Sequence, residues 1–315
     1  MYSKWKMNPS RFLAMTGYTH ELFLELLPHF EHAHQTYLSK YNLKGKHRNN
    51  SRKFVLYQSS PLPTIEDRLI FILSFKKLNL IQEAQAAMFD MTQTQCNEFI
   101  HGLTTILEIA LSDAEAMPAT NEKQLIDILS IEDETNETLI HDGTEREIPR
   151  PKDSEEQKDN YSGKKKKHTL KNAVIINALC CVLFVSVTVN GSMHDKKIAD
   201  LHYANAFAQL KKIITLWQDS GYQGFAPENV KTEQGTKKPK NQELTTEQKE
   251  MNKLISSFRV RVEHAIGSIK RYRIVKDECR LRKNRYPYNV FAICAGLHNF
   301  RLKFMAFKYP VIKTI

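Results

Sequence analysis

The sequence has 315 residues and a formal net charge of +11 at pH 7, with a pI of about 9.3. Its apolar content of 41% is ordinary for a globular protein, which excludes a wholly disordered chain. A strongly basic chain favours a polyanionic partner, although basic surfaces also occur in proteins that bind no nucleic acid. Composition alone therefore leaves two interpretations open: a protein that binds nucleic acid, and a basic protein that does not.

Neither a membrane nor a secretory route is indicated. The N-terminal residues lack the continuous apolar stretch of a signal peptide. The one long apolar run, 173–189, is short for a membrane span and rich in β-branched residues, so it predicts buried strands. Five scattered cysteines without metal-ligand spacing are typical of reduced thiols. We expect a cytoplasmic protein, associated with the nucleoid in a bacterial host and nuclear in a eukaryotic one.

The N-terminal segment, 1–57, is predicted to be helical and to end in a loop. Apolar residues between Phe23 and Phe30 recur at helical spacing, and a polar, basic stretch follows at 43–53. The next helix should begin at Thr64, because a Thr three residues before an acid can cap a helix.

Residues 58–115 predict a helix-turn-helix region that binds DNA. Its two short helices fit 81–89 and 93–111, and Thr92 with Gln95 predicts a capping box at the break between them. The second helix would enter the major groove by its N-terminal end, where Gln and Asn can read adenine. The expected base-reading residues are Gln93, Thr94, Gln95 and Asn97. The usual turn glycine is Asp90 here, so a plain helical bundle remains the alternative.

Beyond a polar, acidic linker at 116–136, the hydrophobic period changes from 3.6 to 2. This part of the sequence predicts strands at 138–148, 167–179, 180–190 and 213–219, and helices at 195–212, 253–272 and 289–304, with a polar insert at 225–252. Three strands, a helix, a fourth strand and a further helix predict a mixed sheet flanked by helices.

Three carboxylates form a candidate metal site. Asp142 lies within the first strand and Asp219 ends the fourth, and these strands can be neighbours near the centre of an open sheet. Glu263 lies on the long basic helix, where either Arg259 or a divalent metal could neutralise it. Carboxylate oxygens suit Mg²⁺ or Mn²⁺, and two such ions can serve phosphoryl transfer. From the residues alone, acids in ordinary salt bridges are the competing interpretation.

Five motifs stand in order along the chain: HDGTEREIPRP, YSGKKKKHTLKN, GSMHDKKIAD, LWQDSGYQG and RVRVEHAIGSIKRYRI. Through them the chain resembles the DDE transposases of bacterial insertion sequences, in the branch related to Harbinger-type elements, over roughly 10–305. The resemblance implies a ribonuclease-H-like domain at 137–315, with a mixed five-stranded sheet and flanking helices. It also implies that Asp142, Asp219 and Glu263 are catalytic and hold two Mg²⁺ ions, with Mn²⁺ as a substitute.

Four other residues of these motifs need separate interpretation. Ser256 stands where the family helix often has Tyr, which puts in doubt a phosphate contact from that position. Asp195 competes with Asp219 for the second carboxylate, but its place after a turn predicts a helix N-cap. His141 and His264 flank two of the acids and are interpreted as structural or supporting groups.

Basic side chains near these motifs are candidates for contacts with DNA phosphates. One group is a run at a predicted turn; the other interleaves cations with Tyr272 and Ile274 in the stretch 270–285. A solvated surface is the alternative for both. The candidates are Lys164, Lys165, Lys166, Lys167, Arg259, Lys270, Arg271 and Arg273.

The main hypothesis is a transposase that binds the terminal inverted repeats of its own element and catalyses metal-dependent strand cleavage and strand transfer. Its partners would be double-stranded DNA and further copies of the chain, because two DNA ends must be brought together. A transposase-derived DNA-binding protein without catalysis is the alternative. A nuclease for RNA or hybrids is disfavoured, since helix-turn-helix regions read B-form grooves.

Overall fold

The computed structural model describes residues 1–48, 55–238, 243–280 and 286–307, without the side chains of 286–288. It forms two compact units. Unit 1 comprises Met1–Met117 with Lys270–Asp277, and unit 2 comprises Pro118–Ile269 with Glu278–Ile315.

Among the described residues, helices alternate with strands only in unit 2, and the elements of unit 1 are helices. The helices are α1 Tyr2–Trp5, α2 Pro9–Thr16, α3 His20–Lys40, α4 Ile65–Leu78, α5 Gln82–Met88, α6 Gln93–Asp113, α7 Glu122–Leu129, α8 Ser154–Asn160, α9 Asp195–His202, α10 Ala204–Ala208, α11 Thr246–Ile269, α12 Arg273–Lys276 and α13 Tyr286–Phe304. The strands are β1 Thr138–Glu147, β2 Tyr161–Ser162, β3 Lys167–Asn177, β4 Val182–Val185, β5 Val189–Asn190, β6 Ile214–Gln218 and β7 Val230–Gln234. Short 3₁₀ turns occupy Glu134–Asn136 and Ser220–Tyr222.

In unit 1 the predicted helix starts are confirmed. The hydroxyl of Thr64 accepts a hydrogen bond from the Asp67 amide (3.1 Å), which caps α4. Thr92 and Gln95 form the predicted capping box at the start of α6. Asp90, in the turn before it, has φ +50°, so it adopts the left-handed conformation that a turn glycine would supply. Part of the predicted loop, 49–53, lies outside the described residues.

The short helix α12 completes unit 1 from far downstream in the sequence. It packs on α4, and its Ile274 and Val275 are buried. Just before it, the Arg271 carbonyl accepts a hydrogen bond from Lys77 Nζ (3.0 Å). The segment 270–277, expected in the catalytic domain, therefore belongs to the helical unit because its apolar residues are buried there.

Unit 2 is built on one mixed sheet of seven strands, with the order β2-β3-β1-β6-β7 and with β4 and β5 paired to β3 beside this path. The expectation of a five-stranded sheet is therefore wrong in the number of strands. Strand β1 pairs antiparallel with β3 and parallel with β6, and β6 pairs parallel with β7. The prediction of a mixed sheet flanked by helices, with the first and fourth predicted strands adjacent, is confirmed. One face packs against α7, α9 and α10 in an apolar core, while α11 contacts β1, β3 and β6.

Two predicted elements are divided in the structure. The strand expected at 180–190 becomes β4 and β5, both paired with β3. Between them, the Ser186 hydroxyl accepts a hydrogen bond from the Ala173 amide (2.8 Å) and takes the place of a ladder bond. The helix expected at 195–212 is broken at Tyr203, whose φ of −156° is not helical.

Other elements were missed by the sequence analysis. Strand β7 lies in the polar insert, and α8 lies between the first two predicted strands. Both are polar, α8 is largely exposed and β7 is mostly half-buried, so neither has a hydrophobic period to detect. The acidic linker contains the eight-residue helix α7. Within the described residues, no helix is sufficiently long and apolar to cross a bilayer.

Candidate active site

Asp142 and Asp219 lie side by side on the sheet. In the parallel pairing of β1 with β6, Ile140 is in register with Trp217. Each aspartate lies two residues beyond its member of this pair, and side chains two apart share a face of a strand. The sequence-predicted pairing of these two carboxylates at one edge of the sheet therefore follows from the register.

The two carboxylates are oriented in the same way. Asp142 Oδ1 accepts a hydrogen bond from the Gly143 amide (2.8 Å), and Asp219 Oδ1 accepts one from the Ser220 amide. The second oxygen of each, Oδ2, is directed toward Arg259, whose guanidinium is 3.7 Å from Asp142 and 3.5 Å from Asp219. Backbone amides thus fix one oxygen of each acid, and the other two converge on one cation.

Arg259 is placed by the packing of α11 on the sheet. Its neighbour Phe258 stacks on Trp217 of β6, with ring centroids 3.9 Å apart and an interplanar angle of 7°. Arg259 was expected to contact phosphate or to neutralise Glu263. Its ion pairs are instead with the two aspartates, so the Glu263 alternative is wrong for this conformation.

The electrostatic environment of the Asp142 carboxylate favours a nearby cation. The pKa of Asp142 is raised to about 6: burial is the largest cause, Arg259 and the Gly143 amide oppose the shift, and the charges of Asp219 and Asp195 add to it. A buried carboxylate with a raised pKa is stabilised in its charged form by nearby positive charge. Asp142 therefore depends on a cation to remain ionised at neutral pH.

Asp195 does not cap a helix as predicted. The N-cap of α9 is His194, and Asp195 is the first helical residue. Its Oδ1 lies 3.2 Å from Lys171 Nζ, which also lies 3.8 Å from Glu145 Oε1. The side chain turns away from the helix end because this cation attracts it. Lys171 was missed by the sequence analysis, and the signal was a lysine two residues before the apolar run 173–176 of a central strand.

Glu263 is on α11, one turn beyond Arg259. Its side chain is exposed and has no ion pair with any described residue. Among the described side chains, no three His, Cys, Asp or Glu groups converge closely enough to hold a metal ion without rearrangement. The structure thus brings together two of the three predicted carboxylates, with Arg259 between them. Ser256 is exposed on the same helix.

His141 is a structural residue, as expected. It faces the opposite side of β1 from Asp142 and is fully buried. Its ring nitrogens form hydrogen bonds with Tyr203 Oη (2.8 Å) and Gln218 Oε1 (3.2 Å), and the ring stacks on Tyr222. Burial lowers the pKa of His141 to about 3, so it is neutral. His264 is exposed.

The donor set at Asp142 and Asp219 fits a divalent cation. Both acids supply hard oxygen donors, and their Oδ2 atoms already face a common positive charge. A metal ion would offset the same buried negative charge that Arg259 offsets here. These two residues are therefore the ones that could hold a metal in this conformation, and Glu263 is not gathered with them.

The predicted base readers lie at the N-terminus of α6. Thr94 is exposed and Asn97 is half-buried. Gln95 is exposed, but its Oε1 accepts the hydrogen bond from the Thr92 amide that closes the capping box. Gln93 Nε2 donates to Gln82 Oε1 (2.8 Å). Two of the four side chains are thus already engaged in stabilising the helix pair.

Arg259 is the predicted phosphate contact that lies at the carboxylates, whereas the lysine run of unit 2 lies along the strand from them. Residues 164–167 lie at the β2–β3 turn, where Lys167 pairs with Glu147 (2.8 Å). Because Glu147 is five residues beyond Asp142 on β1, the turn is roughly 17 Å along the strand from that acid. A phosphate contact from this run would therefore lie at a distance from Asp142 along the strand. In unit 1, Arg271 and Arg273 are exposed and Lys270 is half-buried, while residues 281–285 of that stretch lie outside the described residues.

Comparison with known proteins identifies the family. Residues 141–299 match the DDE superfamily endonucleases. The chain belongs to this family. A probable transposase for insertion sequence element IS702 from Microchaete diplosiphon is 31% identical over 200 residues, which are 64% of this chain and 68% of that protein. No solved structure matches the chain.

The family match covers the carboxylate site. Asp142, Asp219 and Glu263 all fall within the matched residues. Members of the DDE superfamily generally use divalent metal ions, which agrees with the donor set at the two aspartates. The resemblance to insertion-sequence transposases is thereby confirmed at the level of the family.

Proposed function

We propose that this protein is a transposase that binds the terminal inverted repeats of its own element, cuts the DNA there and transfers the released strand. The observation that carries the proposal is the convergence of Asp142 Oδ2 and Asp219 Oδ2 on one positive charge at the centre of a mixed sheet. A ribonuclease-H-like fold for unit 2 is supported by its strand order, three antiparallel strands followed by two parallel ones.

The carboxylates would hold Mg²⁺, with Mn²⁺ able to substitute. Divalent ions bound there would supply activation of the attacking oxygen and stabilisation of the leaving oxygen in phosphoryl transfer. Asp142 and Asp219 need little reorganisation, because the amides of Gly143 and Ser220 already fix their orientation. Glu263 would complete the set by a change of side-chain rotamer, since it is exposed and without an ion pair in the described residues.

Arg259 would contact the DNA phosphate when it leaves the aspartates. A guanidinium has five N–H donors in a planar fork, which suits a phosphate as well as a carboxylate. The Arg259 side chain is about four-fifths buried, at 20% exposure, so a bound phosphate would be drawn close to the acids. One residue would in this way serve first as a counter-ion and then as a substrate contact.

DNA recognition is assigned to α5 and α6 as a helix-turn-helix. The left-handed Asp90 and the capping box support this geometry. Thr94 and Asn97 are the side chains best placed to read bases, because Gln93 and Gln95 are bonded within unit 1. Two DNA ends require two sites, so the active form would be a homodimer or a higher oligomer on DNA.

The test is cleavage of a labelled duplex that carries the DNA flanking the gene, with Mg²⁺, with Mn²⁺ and with EDTA. We expect metal-dependent nicking at the repeat boundary, lost in D142A, D219A and E263Q but retained in D200N, an exposed control. Binding measured by gel shift should survive in all four variants. Cleavage by D219A at the wild-type rate would overturn the assignment of the second carboxylate.

One observation favours the alternative, a DNA-binding protein that no longer cuts. Arg259 lies between the two aspartates, as a fixed replacement for a metal would. The same experiment separates the two functions. Specific binding of the repeat without nicking in either metal would support the alternative, and nicking would exclude it.

A further inference from the structure

The pairing of β1 with β6 stops just before the two aspartates of the site. The parallel register of these strands ends with Ile140 opposite Trp217. Beyond this pair, β1 stays paired with β3 past Asp142, and β6 stays paired with β7 through Gln218. Backbone hydrogen bonds therefore hold each strand to its outer neighbour, but the register that joins the two strands does not extend to the aspartates.

A side-chain hydrogen bond joins β1 and β6 at the next position. His141 and Gln218 directly precede Asp142 and Asp219 in the sequence, and both are buried. His141 Nε2 lies 3.2 Å from Gln218 Oε1. Because successive side chains of a strand point to opposite faces, this bond lies on the face covered by α9 and α10, behind the carboxylates. It continues the pairing of the two strands where the backbone register ends.

The neighbouring polar groups fix the direction of this bond. Gln218 Nε2 donates to the Phe225 carbonyl (3.3 Å), which leaves Oε1 as the acceptor that faces His141. His141 therefore donates from Nε2 and accepts at Nδ1 from Tyr203 Oη (2.8 Å). Tyr222, in the turn that follows β6, stacks on the imidazole with ring centroids 3.8 Å apart. The imidazole is thus held in one tautomer and one orientation.

We propose that His141 and Gln218 are positioning residues, which set the separation of the two aspartates for metal binding. This inference rests on the proposed function. On the α11 face, Arg259 links the two carboxylates only until a metal ion displaces it. The bond between His141 and Gln218 is on the opposite face, so it persists when that cation leaves. It limits how far the ends of β1 and β6 can part while the ion is bound.

Titration of the full chain with Mn²⁺, with free Mn²⁺ followed by electron paramagnetic resonance, tests this role. Q218M keeps an unbranched side chain of similar size but removes the acceptor that faces His141. We expect Q218M to weaken Mn²⁺ binding roughly 10-fold, in the range found for groups that orient metal ligands. An unchanged Kd in Q218M would overturn the proposal.

The matched control is Y203F, which acts on the same imidazole. It removes the hydrogen bond to Nδ1 and leaves the bond to Gln218 in place. Each variant deprives one buried nitrogen of His141 of its partner, so both should lower the urea midpoint of unfolding. Only Q218M should change the Mn²⁺ Kd. Equal weakening of Mn²⁺ binding in both variants would reveal a merely structural role and overturn the proposal.

Two replacements of His141 itself separate its two hydrogen bonds. A glutamine amide can place a donor near the position of imidazole Nε2, whereas the shorter asparagine reaches only the position of Nδ1. H141Q should therefore keep the bond to Gln218 and bind Mn²⁺ more tightly than H141N. The reverse order of the two Kd values would contradict the positioning role.

The D142N variant distinguishes failure of this inference from failure of the proposed function. Weaker Mn²⁺ binding in D142N together with an unchanged Kd in Q218M would remove only the role of His141 and Gln218. Absence of Mn²⁺ binding by the wild type would overturn the metal site as a whole, and the positioning role with it.

Discussion

Arg259 Nη2 lies 3.5 Å from Asp219 Oδ2 and ties the long helix α11 to the end of β6. This contact places a permanent positive charge at the position where we propose that a divalent ion binds. In that proposal, metal binding displaces an internal cation before the site can work. The free energy of that displacement becomes part of the apparent metal affinity.

Removing this cation should strengthen metal binding and weaken cleavage. In R259Q the aspartates lose their internal partner, and an exposed or partly exposed ion pair contributes up to about 1 kcal/mol. We expect the Mn²⁺ Kd to fall roughly five-fold, while cleavage of DNA falls because a phosphate contact is lost. Calorimetric titration and the nicking assay measure the two effects.

The matched control for this variant is K253Q, which removes an exposed cation from the same helix. K253Q should change neither the Mn²⁺ Kd nor the cleavage of DNA at moderate salt. Weaker Mn²⁺ binding in R259Q would mean that Arg259 helps to assemble the site.

Asp142 should lower the stability of the metal-free protein at neutral pH. Its folded pKa, about 6, is above the ordinary value of 3.8, so ionisation is less favourable in the folded state. A difference of about two pKa units corresponds to roughly 3 kcal/mol, fully expressed above pH 6 and absent below pH 4. D142N should therefore be more stable than the wild type at pH 8 in EDTA, and about equal at pH 4. Urea denaturation at both pH values measures this, and a less stable D142N at pH 8 would refute it.

The stack of Phe258 on Trp217 should control how firmly α11 is held on the sheet. Replacing a buried Phe by Ala lowers the free energy of unfolding by about 3–5 kcal/mol, and Phe258 is 5% exposed. We expect F258A to destabilise unit 2 by about 3 kcal/mol and to change Trp217 fluorescence. V260A, two residues along at a position 38% exposed, is the control. A similar loss in both variants would show that loss of side-chain contacts anywhere on this part of α11, not the stack, is responsible.

Unit 1 should lose stability in acid through His34. The pKa of His34 is lowered to about 3, first by burial and second by the charge of Arg68. Below its unfolded pKa of 6.5, the unfolded chain binds a proton that the folded chain does not, so stability falls as pH falls. H34Q should make the decline between pH 6.5 and 4 shallower by about 1.4 kcal/mol per pH unit. H32Q, on the exposed side of α3, should keep the wild-type slope in the same urea titrations.

The positions of Asp142 and Asp219 could be predicted because they depend on one simple rule, the period of two along paired strands. The capping boxes of unit 1 were equally local, since Thr92 and Gln95 contact only their own helix. Hydrophobic period located the central strands because they are buried on both faces. These features need no knowledge of distant contacts.

The contacts of the Asp195 side chain could not be predicted from its neighbours in sequence. A residue after a turn and before a helix is an ordinary N-cap by local rules. Only the fold brings Lys171, Gly143 and Gly221 to its side chain. In the same way, the edge strand β7 has no apolar pattern, and its place is set by pairing with β6.

The return of the chain to unit 1 at 270–277 has a practical consequence for dissecting the protein. A fragment ending at Met117 would lack α12 and expose the part of α4 that this helix covers. A protease cut after Met117 would leave the helical unit divided between two pieces, because α12 remains on the downstream piece. Expression of the two pieces together should therefore reconstitute the helical unit, whereas the upstream piece alone should be prone to aggregation.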